Sequence, residues 1–247
     1  MYYFASDTHL GLSHGTDEIA REKLFVRWLD EVSVDAEAIF LLGDIFDFWF
    51  EYKRVVPKGF TRLLGKLSEL SDRGIPIHFF AGNHDMWIRD YLATECGLIL
   101  HTAPETMTLN GRRVLLAHGD NLYIQDLPML RLMNWFFHNR WVRRSFATLL
   151  HPDCALRFGQ WWSGKSRKSK ALSIGFRGEE EFLVKYARMR LQQEPIDDFV
   201  FGHIHCATIY PLGEGIEAIF LGEWIEQPTY ATLDAQGRFA LHTYQPA

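Results

Sequence analysis

Cysteine is scarce in this chain. Cys96, Cys154 and Cys206 are an odd number with no paired spacing, so reduced thiols in a cytosolic protein are expected rather than a disulfide framework. No apolar run approaches the roughly 20 residues that span a bilayer, so membrane contact, if any, is expected to be peripheral. An excess of positive charge is also missing. The 26 Lys/Arg and 31 Asp/Glu leave a net charge of −5, and nothing global points to nucleic acid. Met1–Ser6 carries no basic n-region and reads as a strand, so no secretory signal is expected there. Internal repeats and low-complexity stretches are absent too. What is present is 247 residues with 47% hydrophobic and 23% charged content, enough for one large globular domain or a domain with a sizeable insertion.

Charge is distributed unevenly along the chain. From Asp126 to Arg177 there are ten Lys/Arg and two Asp/Glu, together with Trp135, Phe136, Phe137, Trp141, Phe146, Phe158, Trp161, Trp162 and Phe176. A basic, aromatic-rich block inside an otherwise acidic protein marks a helical insertion at about 126–177 within a single domain of residues 1–247.

Outside that block, short apolar runs alternate with helical patterns. Tyr2–Ser6, Ala38–Leu42 and Ile75–Ala81 read as buried strands, and Asp17–Val32 and about Pro57–Arg73 as helices. This βαβαβ start predicts a sheet with helices on its outer face. Asn110-Gly111 between Thr106–Leu109 and Arg112–Ala117 predicts a hairpin. A helix is expected over Gly178–Gln193, and strands from Phe199 to Tyr244.

Five short motifs recur where these strands end: Asp7-Thr8-His9, Gly43-Asp44 with Asp47, Gly82-Asn83-His84-Asp85, His118-Gly119, and Gly202-His203-Ile204-His205. Each alone has an ordinary explanation. Asp44 suits a helix or turn cap, and a histidine at a strand end usually packs or caps. Asp7 and His9, two apart on an extended chain, are expected to point to one side. Gly43 permits a tight turn under Asp44. Asp47 reads as a support or cap rather than a direct ligand. Asn83 offers a neutral oxygen, His84 a group for the substrate, and Asp85 a carboxylate to orient that imidazole. Together the motifs bring hard oxygen and borderline nitrogen donors to strand ends, the composition of a two-metal hydrolytic site. The other histidines lack this context and are assigned to surface or packing roles.

The ordered set resembles the calcineurin-like metallophosphoesterases over most of the chain outside the basic block. The resemblance implies an α/β fold, a four-layer αββα metallophosphoesterase sandwich with a helical insertion. It implies two divalent metal ions, one held by Asp7, His9, Asp44 and His205, the other by Asp44, Asn83, His118 and His203, with Asp44 as the bridge. His84 and Asp85 become catalytic residues, and Mn²⁺ suits the mixed carboxylate, amide and imidazole donors. Such a site needs no protein nucleophile.

Within that superfamily the chain is most similar to the UDP-2,3-diacylglucosamine pyrophosphohydrolases of lipid A synthesis. The residues that carry this are Phe4–Leu10, Gly43–Asp47, His118–Leu122, Leu221-Gly222-Glu223-Trp224 and the basic insertion. The implied reaction releases UMP and 2,3-diacylglucosamine 1-phosphate. By family position, Asp126, Ser163, Arg167 and Lys170 contact the substrate head. His84 stands where the best-known members have arginine. The expected partners are a nucleotide-linked diacylated sugar and the anionic inner membrane surface, with no nucleic acid and no obligate protein partner. The implied location is cytoplasmic, peripheral on the cytoplasmic face of the inner membrane. The competing expectations are a phosphomonoesterase or phosphodiesterase acting on a soluble substrate, and a nonenzymatic scaffold that keeps the fold. The seven ligand positions and His84 are intact, which speaks against the scaffold.

Overall fold

The run Ala38–Leu42 is apolar throughout because both of its faces are covered. In the computed structural model it forms β2. Ile39 and Leu41 face a helical layer, while Ala38, Phe40 and Leu42 face a second sheet. The structure describes residues 1–12, 17–123, 132, 135, 139–155, 157, 159 and 175–246.

The first sheet has the order β11-β10-β1-β2-β3-β4, from β1 (Tyr2–Ala5), β2, β3 (Ile77–Phe80), β4 (Ile99–His101), β10 (Thr229–Leu233) and β11 (Phe239–Thr243). The second has the order β5-β6-β7-β9-β8, from β5 (Glu105–Leu109), β6 (Arg112–Ala117), β7 (Asp198–Phe201), β8 (Thr208–Gly213) and β9 (Ile216–Phe220). In the first sheet β1 to β4 run parallel out to the β4 edge, with antiparallel β10 and β11 on the β1 side; in the second, parallel β6, β7 and β9 lie between antiparallel β5 and β8.

Three apolar layers follow from the two-residue period of these strands. Tyr3, Ile39, Ile77 and Phe79 pack under helices α1 (Glu18–Val32), α2 (Thr61–Asp72) and α3 (Tyr91–Cys96). Phe4, Phe40, Val114, Val200 and Ile219 fill the space between the sheets. Leu115, Phe199, Phe201 and Phe220 pack under the helix Phe182–Leu191. The order helix, sheet, sheet, helix is the expected αββα sandwich.

Several boundaries differ from those expected. The second helix begins at Thr61 rather than near Pro57, after Phe60 adopts a left-handed backbone with φ of 57°. The segment expected as one helix over Gly178–Gln193 divides. Gly178–Glu180 is a 3₁₀ turn, Glu181 is extended and takes the Phe182 N–H on its side chain, and only then does the α-helix start. Helix α3 and strand β4, six and three residues long, are additions that short segments do not announce by periodicity. The hairpin forms as expected, with φ of 47° at Asn110 and 79° at Gly111.

Asp17 caps the first helix, accepting from Ile19 and Ala20 N–H at 3.0 and 3.1 Å. Asp17→Ala is expected to cost about 1 kcal/mol of stability. Urea unfolding will show this as a lower midpoint at unchanged slope.

The described part of the insertion is helical. Helix α4 (Arg140–Leu149) is capped by Asn139, which accepts from the Trp141 and Val142 N–H groups at 2.8 and 3.3 Å. Beyond it, Ala155 is buried, and Tyr52 Oη donates to the Leu150 carbonyl at 3.0 Å. Leu132, Trp135 and Trp141 remain exposed, each at about 60%. Among the described residues no helix is long and apolar enough to cross a membrane.

Candidate metal centre

All five motifs lie just beyond the C-terminal ends of β1, β2, β3, β6 and β7, where open sheets place their sites. Strand β1 ends at Ala5, so Asp7 and His9 are not on extended chain. Asp7, His9, Asp44 and His203 take left-handed backbone, with φ of 54°, 43°, 52° and 64°. Their side chains converge through these turns rather than through strand alternation, which corrects the expected reason. A non-glycine residue in that region costs of order 1–3 kcal/mol and persists only where surrounding bonds fix it. Here the loops are tied together. Asp7 N–H donates to Gly43 O at 3.0 Å, His9 N–H to Asp44 O at 3.0 Å, and Leu10 N–H to Ile45 O at 2.9 Å. Arg21, buried on α1, donates to the His9 and Leu12 carbonyls at 3.0 and 3.3 Å. Gly43 has φ of 81°, and a Cβ there would meet His118 Nδ1 at 2.7 Å and Gly82 Cα at 2.8 Å. Glycine at 43 is therefore required twice over, by backbone shape and by the closeness of two other ligand loops.

Among the described residues, donor atoms gather in three overlapping groups: Asp7, His9 and His205; His9, Asp44 and His84; Asp44, His118 and His203. In each, one ligand atom per residue lies within 4.8 Å of the others. His205 Nε2 stands 3.2 Å from Asp7 Oδ1 and 3.4 Å from His9 Nε2. His118 Nε2 stands 3.4 Å from Asp44 Oδ2, 3.4 Å from Asn83 Oδ1 and 3.3 Å from His203 Nδ1. Asp44 belongs to two of the groups. Its Oδ1 accepts the His84 N–H at 2.8 Å, whereas its Oδ2 is buried without a hydrogen bond among three imidazoles. Asp7 repeats the pattern: Oδ2 accepts the His203 N–H at 2.9 Å, and Oδ1 is buried without a hydrogen bond.

A buried carboxylate oxygen with no donor is costly unless a cation answers it. Two such oxygens, ringed by imidazole nitrogens and an amide oxygen, fit divalent metal ions. The family model described as calcineurin-like phosphoesterase matches residues 2–207. The chain belongs to that family. Full-length relatives agree. A UDP-2,3-diacylglucosamine hydrolase of Porphyromonas gingivalis is 39% identical, covering 94% of this chain and 93% of its own. Proteins of the same name from Edwardsiella ictaluri and Stenotrophomonas maltophilia are 31% and 30% identical, covering 95% of this chain and 88% and 95% of theirs.

In this calcineurin-like phosphoesterase, hydrogen bonds fix which imidazole nitrogen faces the centre. A carbonyl only accepts, so His118 Nδ1–H donates to Leu42 O at 2.8 Å, and Nε2 is the nitrogen that faces Asp44. His84 does likewise, donating from Nδ1 to the Asp47 carbonyl at 2.8 Å. Burial pushes the His84 imidazole down against the opposing pull of Asp44, so it is neutral at pH 7 and presents an acceptor at Nε2. Burial would also push His118 and His9 down, but Asp44 raises His118 to about 10, and Asp47 and Asp7 raise His9 to about 9. Burial would raise Asp44 and Asp7 as well, yet the imidazoles, His118 on Asp44 and His205 on Asp7, hold both well below the usual carboxylate range. A metal ion takes an imidazole nitrogen only after the proton leaves, so metal binding here releases protons.

The expected partnership of Asp85 with His84 takes another form. Asp85 is fully buried and accepts from Gly82 N–H at 2.6 Å, Ile45 N–H at 2.9 Å and Phe46 N–H at 3.5 Å, so it ties the third loop to the second. Asp47 does the orienting. Its carbonyl holds His84, and its carboxylate lies 3.4 Å from His9 Nδ1 and 3.8 Å from His84 Nδ1. Arg21 had no signal in the sequence, because an arginine in an amphipathic helix reads as a solvated face. Asp126, Ser163, Arg167 and Lys170 lie outside the described residues.

Proposed function

We propose that this chain hydrolyses the diphosphate of UDP-2,3-diacylglucosamine, releasing UMP and 2,3-diacylglucosamine 1-phosphate. The observation that carries the reading is likeness over nearly the whole length, insertion included, to proteins named for that substrate. The two unanswered carboxylate oxygens support a pair of ions, one for Asp7, His9, Asp44 and His205 and one for Asp44, Asn83, His118 and His203. Mn²⁺ suits those donors.

Bound divalent ions would supply Lewis-acid polarisation of the phosphoryl oxygens and an acidified water. The protein does the rest. Asp44 shares one donor group with His9 and His84 and another with His118 and His203, and the His84 N–H fixes its carboxylate. His84 Nε2, 3.9 Å from Asp44 Oδ2, is assigned proton handling: it takes up the proton that the attacking water gives up and passes it to the leaving oxygen. Asp47 holds that ring in position and Asp85 holds the loop that bears it.

The basic insertion at about 126–177 serves the lipid half. Asp126, Ser163, Arg167 and Lys170 are assigned to the substrate head. The exposed Leu132, Trp135 and Trp141 suit an acyl chain or the interface of an anionic membrane and support a peripheral location on the cytoplasmic face of the inner membrane. The deciding experiment incubates Mn²⁺-loaded protein with UDP-2,3-diacylglucosamine and separates the products. UMP release is the expected result. Protein that cleaves bis(p-nitrophenyl) phosphate but yields no UMP would overturn the substrate and leave the reaction class standing.

A further inference from the structure

The metal centre sits in the middle of one end of the sandwich, and a cavity opens at each edge beside it. One, of about 350 Å³, lies at the β3–β4 and β5–β6 edge, bordered by His118, Asp120 and Asn121 and walled by Met86, Trp87, Ile88 and Leu122. Leu122 stands just before the insertion in the chain. The other cavity, of about 380 Å³, lies at the β10–β11 and β8–β9 edge and is bordered by His205. Its walls are of different chemistry.

At the rim of the second cavity, Gln227 Nε2 donates to Thr243 Oγ1 at 3.2 Å, and both residues are exposed. Leu241 and Ala207 provide aliphatic surface inside. The loop that carries Gln227 is held rigidly. The Glu223 carboxylate accepts the N–H groups of Ile225, Glu226 and Gln227, the last two at 3.0 and 3.1 Å. The Leu221-Gly222-Glu223-Trp224 motif thereby gains a structural role, because its glutamate clamps the turn that presents the carboxamide.

We propose that the cavity beside His205 binds the nucleoside of the substrate. The inference rests on the nucleotide-linked substrate proposed above. A diphosphate cleaved at the centre leaves its two halves pointing to opposite edges, and the halves differ in chemistry as the cavities do. A carboxamide offers a donor and an acceptor side by side, which matches the imide edge of a pyrimidine, and a threonine hydroxyl does either. The aliphatic walls suit the faces of the base. An acyl chain on this side would strip water from Gln227 and Thr243 and return no hydrogen bond.

The test measures inhibition of bis(p-nitrophenyl) phosphate turnover by UMP and by inorganic phosphate, using the full chain loaded with Mn²⁺. UMP is expected to inhibit the unaltered protein at least about tenfold more tightly than phosphate, a difference of about 1.4 kcal/mol. Thr243→Phe fills the cavity and should bring the two inhibition constants within about twofold, with reporter turnover and phosphate inhibition unchanged. Gln227→Ala should weaken UMP about tenfold, and it carries the comparison by itself should Thr243→Phe lower reporter turnover. Calorimetric titration of UMP should follow the same order. UMP no tighter than phosphate, or equally tight in the unaltered protein and the variants, would overturn the nucleoside site. These outcomes do not depend on cleavage of UDP-2,3-diacylglucosamine, so failure of that substrate and failure of this cavity are told apart.

Discussion

Asp44→Ala is expected to reduce phosphoester hydrolysis by at least about 10³-fold while the chain stays folded. Electrostatic stabilisation by one well-placed group already accounts for about 10²–10³ in rate. Asp44 contributes to two donor groups, so its loss should exceed that of a ligand to one. The substitution also takes an acceptor from the His84 N–H and leaves three imidazoles facing a methyl group. Those losses are local, because the three apolar layers do not include Asp44. Metal analysis should show the bound ions falling by half or more, and circular dichroism should show a cooperative melt. Near-normal turnover from the variant would remove the dinuclear reading.

The second large effect belongs to His84. His84→Ala should lower turnover by about 10²–10⁴-fold, the range for a positioned proton-transfer group, and retain most of the metal. The structure sharpens this prediction. His84 shares a donor group with His9 and Asp44, and its Nε2 carries the lone pair a metal would take. Ligand and proton carrier therefore differ in one readout, the metal-to-protein ratio of the purified variant. Activity lost at constant metal keeps His84 in proton handling. Metal and activity falling together would make it a ligand and pass the proton to another group.

The parts legible in the sequence were those set by side-chain polarity. Ala38–Leu42, Val114–Ala117 and Phe199–Phe201 are continuous apolar runs because each strand lies between two covered faces, and a donor follows each directly (His118) or after one glycine (Asp44, His203). The order of layers followed from that. Backbone shape was much harder to read. Asp7, His9, Asp44 and His203 are left-handed, an arrangement imposed by bonds between loops far apart in the chain. The same long-range origin hid the roles of Asp47, Asp85 and Arg21, whose partners are main-chain atoms and rings of other elements. Side-chain type reveals what a residue can bind; the packed loops decide which partner it has.

The donors divide between the two sheets. Asp7, His9, Asp44, Asn83 and His84 follow strands of the first, and His118, His203 and His205 follow strands of the second. Besides the apolar layer between them, the sheets are joined at this end by His118 Nδ1–H to Leu42 O and by His203 N–H to Asp7 Oδ2. Divalent ions held by both sets would add a removable cross-link there. Their release would then loosen the joint between the two sheets as well as stop chemistry. Metal supply would in this way govern how long the protein lasts as well as how fast it works.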